Sequence, residues 1–224
     1  MKVVLRIGGS VVASPPDPAL ISRYADLLRN LKKQGHELVV VVGGGKIARD
    51  LIELAKKIEL SEPDQDDLAI SVSRLFAQLL ARKVGGLESK VVPISIPQVA
   101  QLLGEEKIVV MGGLRPGMTT DAVAAMIAET VGADLLVKAT DQEGIYTKDP
   151  DKHPDAQKID ELSFDDLLGL FEEDKHRAGI HQILDPEAVQ VLQRSKTRTV
   201  VVNGFKPENV LSAVKGKMVG TLIR

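Results

Sequence analysis

Short apolar runs rich in β-branched residues alternate with longer stretches of helical spacing along most of this chain, and that alternation restricts the fold more than any other feature. The runs fall at 3–7, 38–42, 91–94, 108–111, 135–137 and 199–202. Such nearly continuous apolar runs predict strands buried on both faces. Between them, Leu20, Tyr24, Leu27, Leu28 and Leu31 recur at helical period, and 47–58, 68–84 and 121–131 follow the same rule. The order β-α-β-α predicts an α/β fold, a mainly parallel sheet sandwiched by helices, with right-handed crossovers and ligand loops at the carboxyl ends of the strands. With 224 residues, 44% of them hydrophobic, one compact domain over 1–224 is expected. The stretch 149–154, rich in Asp, Lys and Pro, predicts a loop and is a candidate hinge between two halves.

Charge and composition point to a small-molecule partner. The 29 basic and 31 acidic residues nearly cancel, so no strong field draws the chain onto nucleic acid or an anionic membrane. Aromatic residues are 3% and tryptophan is absent, which argues against a base-stacking platform for single strands. No stretch approaches the roughly 20 apolar residues of a membrane span. The segment 1–12 is too brief, and too soon broken by Arg6 and two glycines, to read as a signal peptide. The absence of cysteine removes disulfide and thiolate chemistry and suits a reducing cytoplasm. His36, His153, His176 and His181 are scattered and form no metal-like spacing.

Glycines follow three of the predicted strands. They are Gly8 and Gly9 with Ser10, then Gly43, Gly44 and Gly45, then Gly112 and Gly113 with Pro116 and Gly117. Glycine lets backbone N–H groups approach a ligand, and a helix starting next adds the positive end of its dipole, so phosphate is the natural guest. Any one such loop can be purely steric; three at strand ends point to phosphate chemistry. Neither Gly45-Lys46 nor Gly216-Lys217 completes a Walker A motif, since Ile47 and Met218 follow. Gly43, Gly45 and Ala48 do fit a dinucleotide fingerprint, but its acidic partner would fall at Asp64 or Asp66, in the polar, proline-containing turn expected over 61–67. Lys46 and Arg49 open the helix after the triple glycine, and Arg115 sits inside the third loop. Each is a candidate for offsetting charge on a transferring phosphoryl group. Lys138 ends an apolar strand and needs an anion, which a ligand phosphate would supply. Asp66 and Asp67 are expected beside a helix start, as a cap or as a ligand contact.

Taken in order, these loops resemble the amino acid kinase superfamily, and within it the archaeal-type uridylate kinases. The matching pieces are Ile7-Gly8-Gly9-Ser10-Val11, the run 41–49 with its triple glycine, Met111-Gly112-Gly113 with 116–121, and 140–150 with Gly144, Tyr146, Asp149 and Pro150. The resemblance implies ATP-dependent transfer of a phosphoryl group to UMP in pyrimidine nucleotide (CTP) synthesis. It also implies magnesium on the ATP phosphates with no dedicated protein metal site, and a hexamer. It puts UMP in a part roughly 1–130 and ATP in a part roughly 131–224. Carried over by position, it assigns Gly9, Ser10, Gly45, Arg49, Thr140, Tyr146 and Asp149 to ATP. It assigns Gly44, Asp66, Leu114, Arg115, Pro116, Gly117, Met118, Thr119 and Thr120 to UMP. Where many members place a lysine on the first strand, this chain has Arg6, so Arg6, Lys46 and Arg49 are the candidate catalytic cations. Related isopentenyl phosphate and carboxylate kinases are the nearest alternatives, ahead of a nicotinamide-dependent oxidoreductase or a nucleotide sensor.

Overall fold

A computed structural model describes residues 1–85, 91–106, 108–173 and 183–224; His176 and His181 lie outside them. The elements run β1 (Lys2–Ile7), α1 (Gly9–Val12), α2 (Pro18–Lys33), β2 (Glu37–Val42), α3 (Gly45–Lys57), α4 (Glu62–Val84), α5 (Ile96–Glu106), β3 (Ile108–Met111), α6 (Thr120–Val131) and β4 (Leu135–Thr140). They continue β5 (Ile145–Tyr146), β6 (Lys158–Ile159), β7 (Glu161–Leu162), α7 (Phe164–Glu173), α8 (Pro186–Ser195), β8 (Thr199–Asn203), α9 (Pro207–Val214) and β9 (Thr221–Ile223). One seven-stranded sheet has the order β3-β2-β1-β4-β8-β9-β7. Its first five strands are mutually parallel, and β9 turns antiparallel to β8.

The pleat sorts each strand into two cores. Val3, Leu5 and Ile7 of β1, with Leu135, Val137 and Ala139 of β4, face α2 and α9 residues such as Tyr24, Leu28 and Val210. Val4, Leu136, Val39 and Val41 face the other layer, with Val123 and Ile127 of α6 and Val189 of α8. By the same period of two, Arg6 and Lys138 must share the α6 side with Val4 and Leu136. That placement creates the site.

Helix starts follow sequence chemistry. Asp17 caps α2 through Ala19 and Leu20 N–H, and Thr119 caps α6 through Ala122 N–H at 3.0 Å. The predicted strand at 91–94 is not formed. Pro93 has no N–H to give a ladder, and the chain there leads directly to α5, with Ile94 N–H donating to Gln98 Oε1. The predicted turn over 61–67 is instead the first turns of α4, capped by Ser61, so Asp66 and Asp67 lie inside the helix and cap nothing. Since α3 is followed by α4, no strand carries the acidic partner that a dinucleotide fingerprint requires. The loop at 149–154 connects β5 and β6 of a small antiparallel hairpin, and strands from before and after it share the large sheet. No described helix is long and apolar enough to cross a membrane.

Candidate active site

Order reverses around β1, with β2 on one side and β4 on the other, the kind of place where parallel sheets open a crevice. A cleft of about 590 Å³ occupies it, lined by Arg6, Gly9, Ser10, the triple glycine and Arg49 on one side and by Thr140, Asp141, Tyr146 and Asp149 on the other. The loops after β1 and β2 touch backbone to backbone. A Cβ on Gly9 would lie 2.0 Å from Gly45 N, and one on Gly45, whose φ is +63°, would lie 2.3 Å from Gly9 O. No other residue fits either position. Ser14 closes this junction by accepting from Lys46 N–H at 2.5 Å and donating to Gly9 O at 3.1 Å.

Arg6 and Lys138 are register partners on neighbouring parallel strands. Two cations on one face of adjacent strands repel, and Asp121 at the start of α6 offsets them. Its Oδ2 accepts from Lys138 Nζ at 2.5 Å, and its Oδ1 lies 2.7 Å from Arg6 Nε as an ion pair without hydrogen-bond alignment. Arg6 also donates to Thr120 Oγ1 at 2.9 Å. Lys138 is buried, with 2% of its side chain exposed. Burial pushes its ammonium below the ordinary lysine range, Asp121 pulls it back, and Arg6 pushes it down again. Burial raises the Asp121 carboxyl, but the Arg6 and Lys138 charges outweigh this and hold it below the ordinary range. The anion that Lys138 requires is therefore this aspartate, not a ligand phosphate. The sequence singles out Lys138 only as a partner for a ligand phosphate, and it assigns Asp121 no role. An ionisable residue at the end of each of two adjacent strands, on one side of the pleat, was the signal available.

Arg49 lines the cleft and, unlike Arg6, has no side-chain partner among the described residues. Lys46 does not join it. Its ammonium pairs with Asp50 at 2.6 Å, stays 65% exposed and lines neither cavity. Thr140 Oγ1 donates to Asp141, and Asp149 is held by Lys152 and by Asp151 N–H.

A second cavity of about 280 Å³ adjoins the first, and Gly44 and Thr120 line both. Asp66, Arg115, Gly117, Met118 and Thr119 line it, whereas Leu114 packs toward the core and Pro116 is exposed outside it. Asp66 Oδ2 accepts from Gly117 N–H at 2.7 Å, and Arg115 has no side-chain partner among the described residues. The glycines after β3 prove partly steric. A Cβ on Gly112 would meet Arg74 N at 2.6 Å, so its absence serves the packing of α4.

A cationic cleft joined to a loop-walled pocket at the switch point of a parallel sheet is the arrangement a small-molecule kinase needs. The profile of the amino acid kinase family matches residues 1–203. The chain belongs to that family. A uridylate kinase of Methanocaldococcus jannaschii is 41% identical over 226 residues, covering 100% of this chain and 99% of that protein. The crystal structure of the uridylate kinase from Archaeoglobus fulgidus superposes with a TM-score of 0.89 at 37% identity, covering 100% of both chains. The UMP kinase of Bacillus anthracis, at 20% identity and a TM-score of 0.83 over 100% of this chain and 95% of that one, shares the family fold.

Proposed function

We propose that this chain is a UMP kinase that transfers the terminal phosphoryl group of ATP directly to UMP, giving ADP and UDP for pyrimidine nucleotide synthesis in the cytoplasm. The observation that carries the reading is that a cationic cleft and a loop-walled pocket meet at Gly44 and Thr120. A donor in the first and an acceptor in the second would bring their phosphates together there. The UMP phosphate is already ionised at neutral pH, so the attack needs no general base. One of its oxygens bonds to the γ-phosphorus, the bond to the β–γ bridging oxygen breaks, and that electron pair leaves on ADP. Arg49, Arg6 and Lys138 supply positive charge where the equatorial oxygens pass, while Asp121 keeps the last two cations from repelling one another. Gly9, Ser10 and Gly45 line the phosphate end of the cleft, and Thr140, Tyr146 and Asp149 its nucleoside end.

No group of three or more ligating side chains exists among the described residues. A divalent ion carried on the phosphates, as magnesium is in most kinases, would need few ligands from the protein. Asp141, a cleft carboxylate without a basic partner among the described residues, would hold it from the protein side. When bound, the ion offsets phosphate charge.

In the second cavity Asp66, Arg115 and the chain from Gly117 to Thr120 would hold UMP. The division at about residue 130 is then functional but not clean, because Gly9, Gly45 and Arg49 from the first part also serve ATP. The outer face of α3 and α4 leaves Leu54, Ile58, Leu75 and Leu79 exposed, which supports burial against further copies, up to a hexamer. Light scattering should then give a mass well above that of one 24.1 kDa chain. ADP release with ATP and magnesium, measured against UMP, CMP, AMP, acetylglutamate, aspartate and isopentenyl phosphate, tests the activity. UMP should be the preferred acceptor, and turnover confined to any other compound would overturn the proposal.

A further inference from the structure

The loop that walls the second cavity is fastened to α4 by a residue outside both cavities. Arg74 spends its planar fork on two successive carbonyls, Nε donating to Gly113 O at 3.0 Å and Nη2 to Leu114 O at 2.8 Å. Beside it, Ser73 Oγ accepts from Gly113 N–H at 2.8 Å and donates to Ile70 O at 2.7 Å. The bare Cα of Gly112 lets the loop lie this close to the helix. At the far end Asp66, also on α4, holds Gly117 N–H.

In a trans peptide the N–H points opposite to the C=O. Fixing the carbonyls of Gly113 and Leu114 on Arg74 therefore also fixes the directions of the N–H groups of Leu114 and Arg115. Neither N–H has a partner among the described residues. Gly113 and Arg115, on either side of Leu114, line the second cavity, so Arg74 fixes the course of the backbone that walls it.

We propose that Arg74 is a positioning residue that fixes the loop walling the second cavity, and so its acceptor selectivity; this rests on the UMP kinase reading. Lysine cannot replace it, since one ammonium has no planar fork for two carbonyls. A loop oriented before binding holds ground state and transition state alike, so its loss falls on the Michaelis constant.

The test compares wild type, Arg74→Met, Arg74→Lys and a control, Arg194→Lys, which removes a bidentate fork from Glu129 on the exposed surface. In both Arg74 variants the KM for UMP should rise about tenfold or more, kcat should stay within about threefold and the KM for ATP should not move. The preference for UMP over CMP should narrow, with Arg74→Lys recovering part of it at most. The control should match wild type throughout. If Arg74→Met does not fold, Arg74→Lys decides the matter by the same readings. An unchanged KM and preference in a folded Arg74 variant overturns the proposal. So does a fall in kcat that merely follows a loss of melting temperature. Failure of the wild type to use UMP overturns the kinase reading itself, a separate outcome.

Discussion

The two cavities share Gly44 and Thr120 yet are built by opposite means. The first cavity, the proposed donor cleft, draws its character from ionisable groups fixed on strands, with Arg6 and Lys138 in register and Asp121 brought over them by α6. The second cavity, the proposed acceptor site, is shaped by backbone, a loop pinned to α4 through Asp66, Ser73 and Arg74. In the proposed reading, the charge that acts on the transferring group sits on β1 and β4, strands paired on both sides within the sheet. Acceptor selectivity would then sit on a loop, which can change without disturbing the strands. Substitutions in the first region should therefore act on turnover, and those in the second on acceptor affinity.

The largest effect is expected at Asp121. Asp121→Asn leaves Arg6 and Lys138 facing each other without a counter-charge, and breaking a buried ion pair from one side costs about 3–5 kcal/mol of stability. Turnover should fall about a thousandfold or more, ~4 kcal/mol in activation free energy. Single-turnover kinetics and thermal melting on the same preparation check both numbers, and near-normal values would mean that the cleft does not work by charge.

Arg49→Ala should come next. It should lower kcat about a hundredfold, ~3 kcal/mol, with a much smaller change in UMP affinity. Asp66→Ala sharpens the contrast from the other side. It removes a carboxylate from the acceptor cavity and frees Gly117 N–H, so the KM for UMP should rise about tenfold while kcat changes little. Matching effects of the two variants on kcat and KM would erase the distinction between the regions.

The smallest effect concerns acid. The Asp121 carboxyl is held below its ordinary value in the folded chain. Its stabilisation is thus fully present above the unfolded value of about 3.9 and is lost as pH falls through the lower folded value. Wild type should lose melting temperature below about pH 4 more steeply than Asp121→Asn. Parallel acid limbs in the two proteins would deny Asp121 that role.

The layered fold was legible because apolar period and glycine position are local signals. The strands at 3–7, 38–42, 108–111, 135–137 and 199–202 all form, and the four helices read from apolar spacing form as α2, α3, α4 and α6. The strand expected at 91–94 failed on Pro93, a local signal outweighed by the valines and isoleucine around it. The short strands β5, β6, β7 and β9 span two or three residues each, too few to show a period. At the site, the residues that touch ligand-sized space through sequence-adjacent loops, such as Gly9, Gly45, Arg49 and Gly117, were readable. Lys46 was misread because Asp50, one turn along α3, takes its ammonium away from the cleft. The partnership of Lys138 with Asp121 spans 17 positions and two elements, and that of Arg74 with Gly113 spans 39. Only the packing of α6 and α4 brings those pairs together.

The central claim is that the phosphoryl group crosses directly from one cavity to the other where they meet. The stereochemical course at phosphorus tests it most directly, using ATP made chiral at the γ-phosphorus with oxygen isotopes and sulfur, and UMP as acceptor. A single in-line displacement predicts inversion of configuration in the UDP formed. Retention would require two displacements through a phosphorylated side chain and would contradict the account.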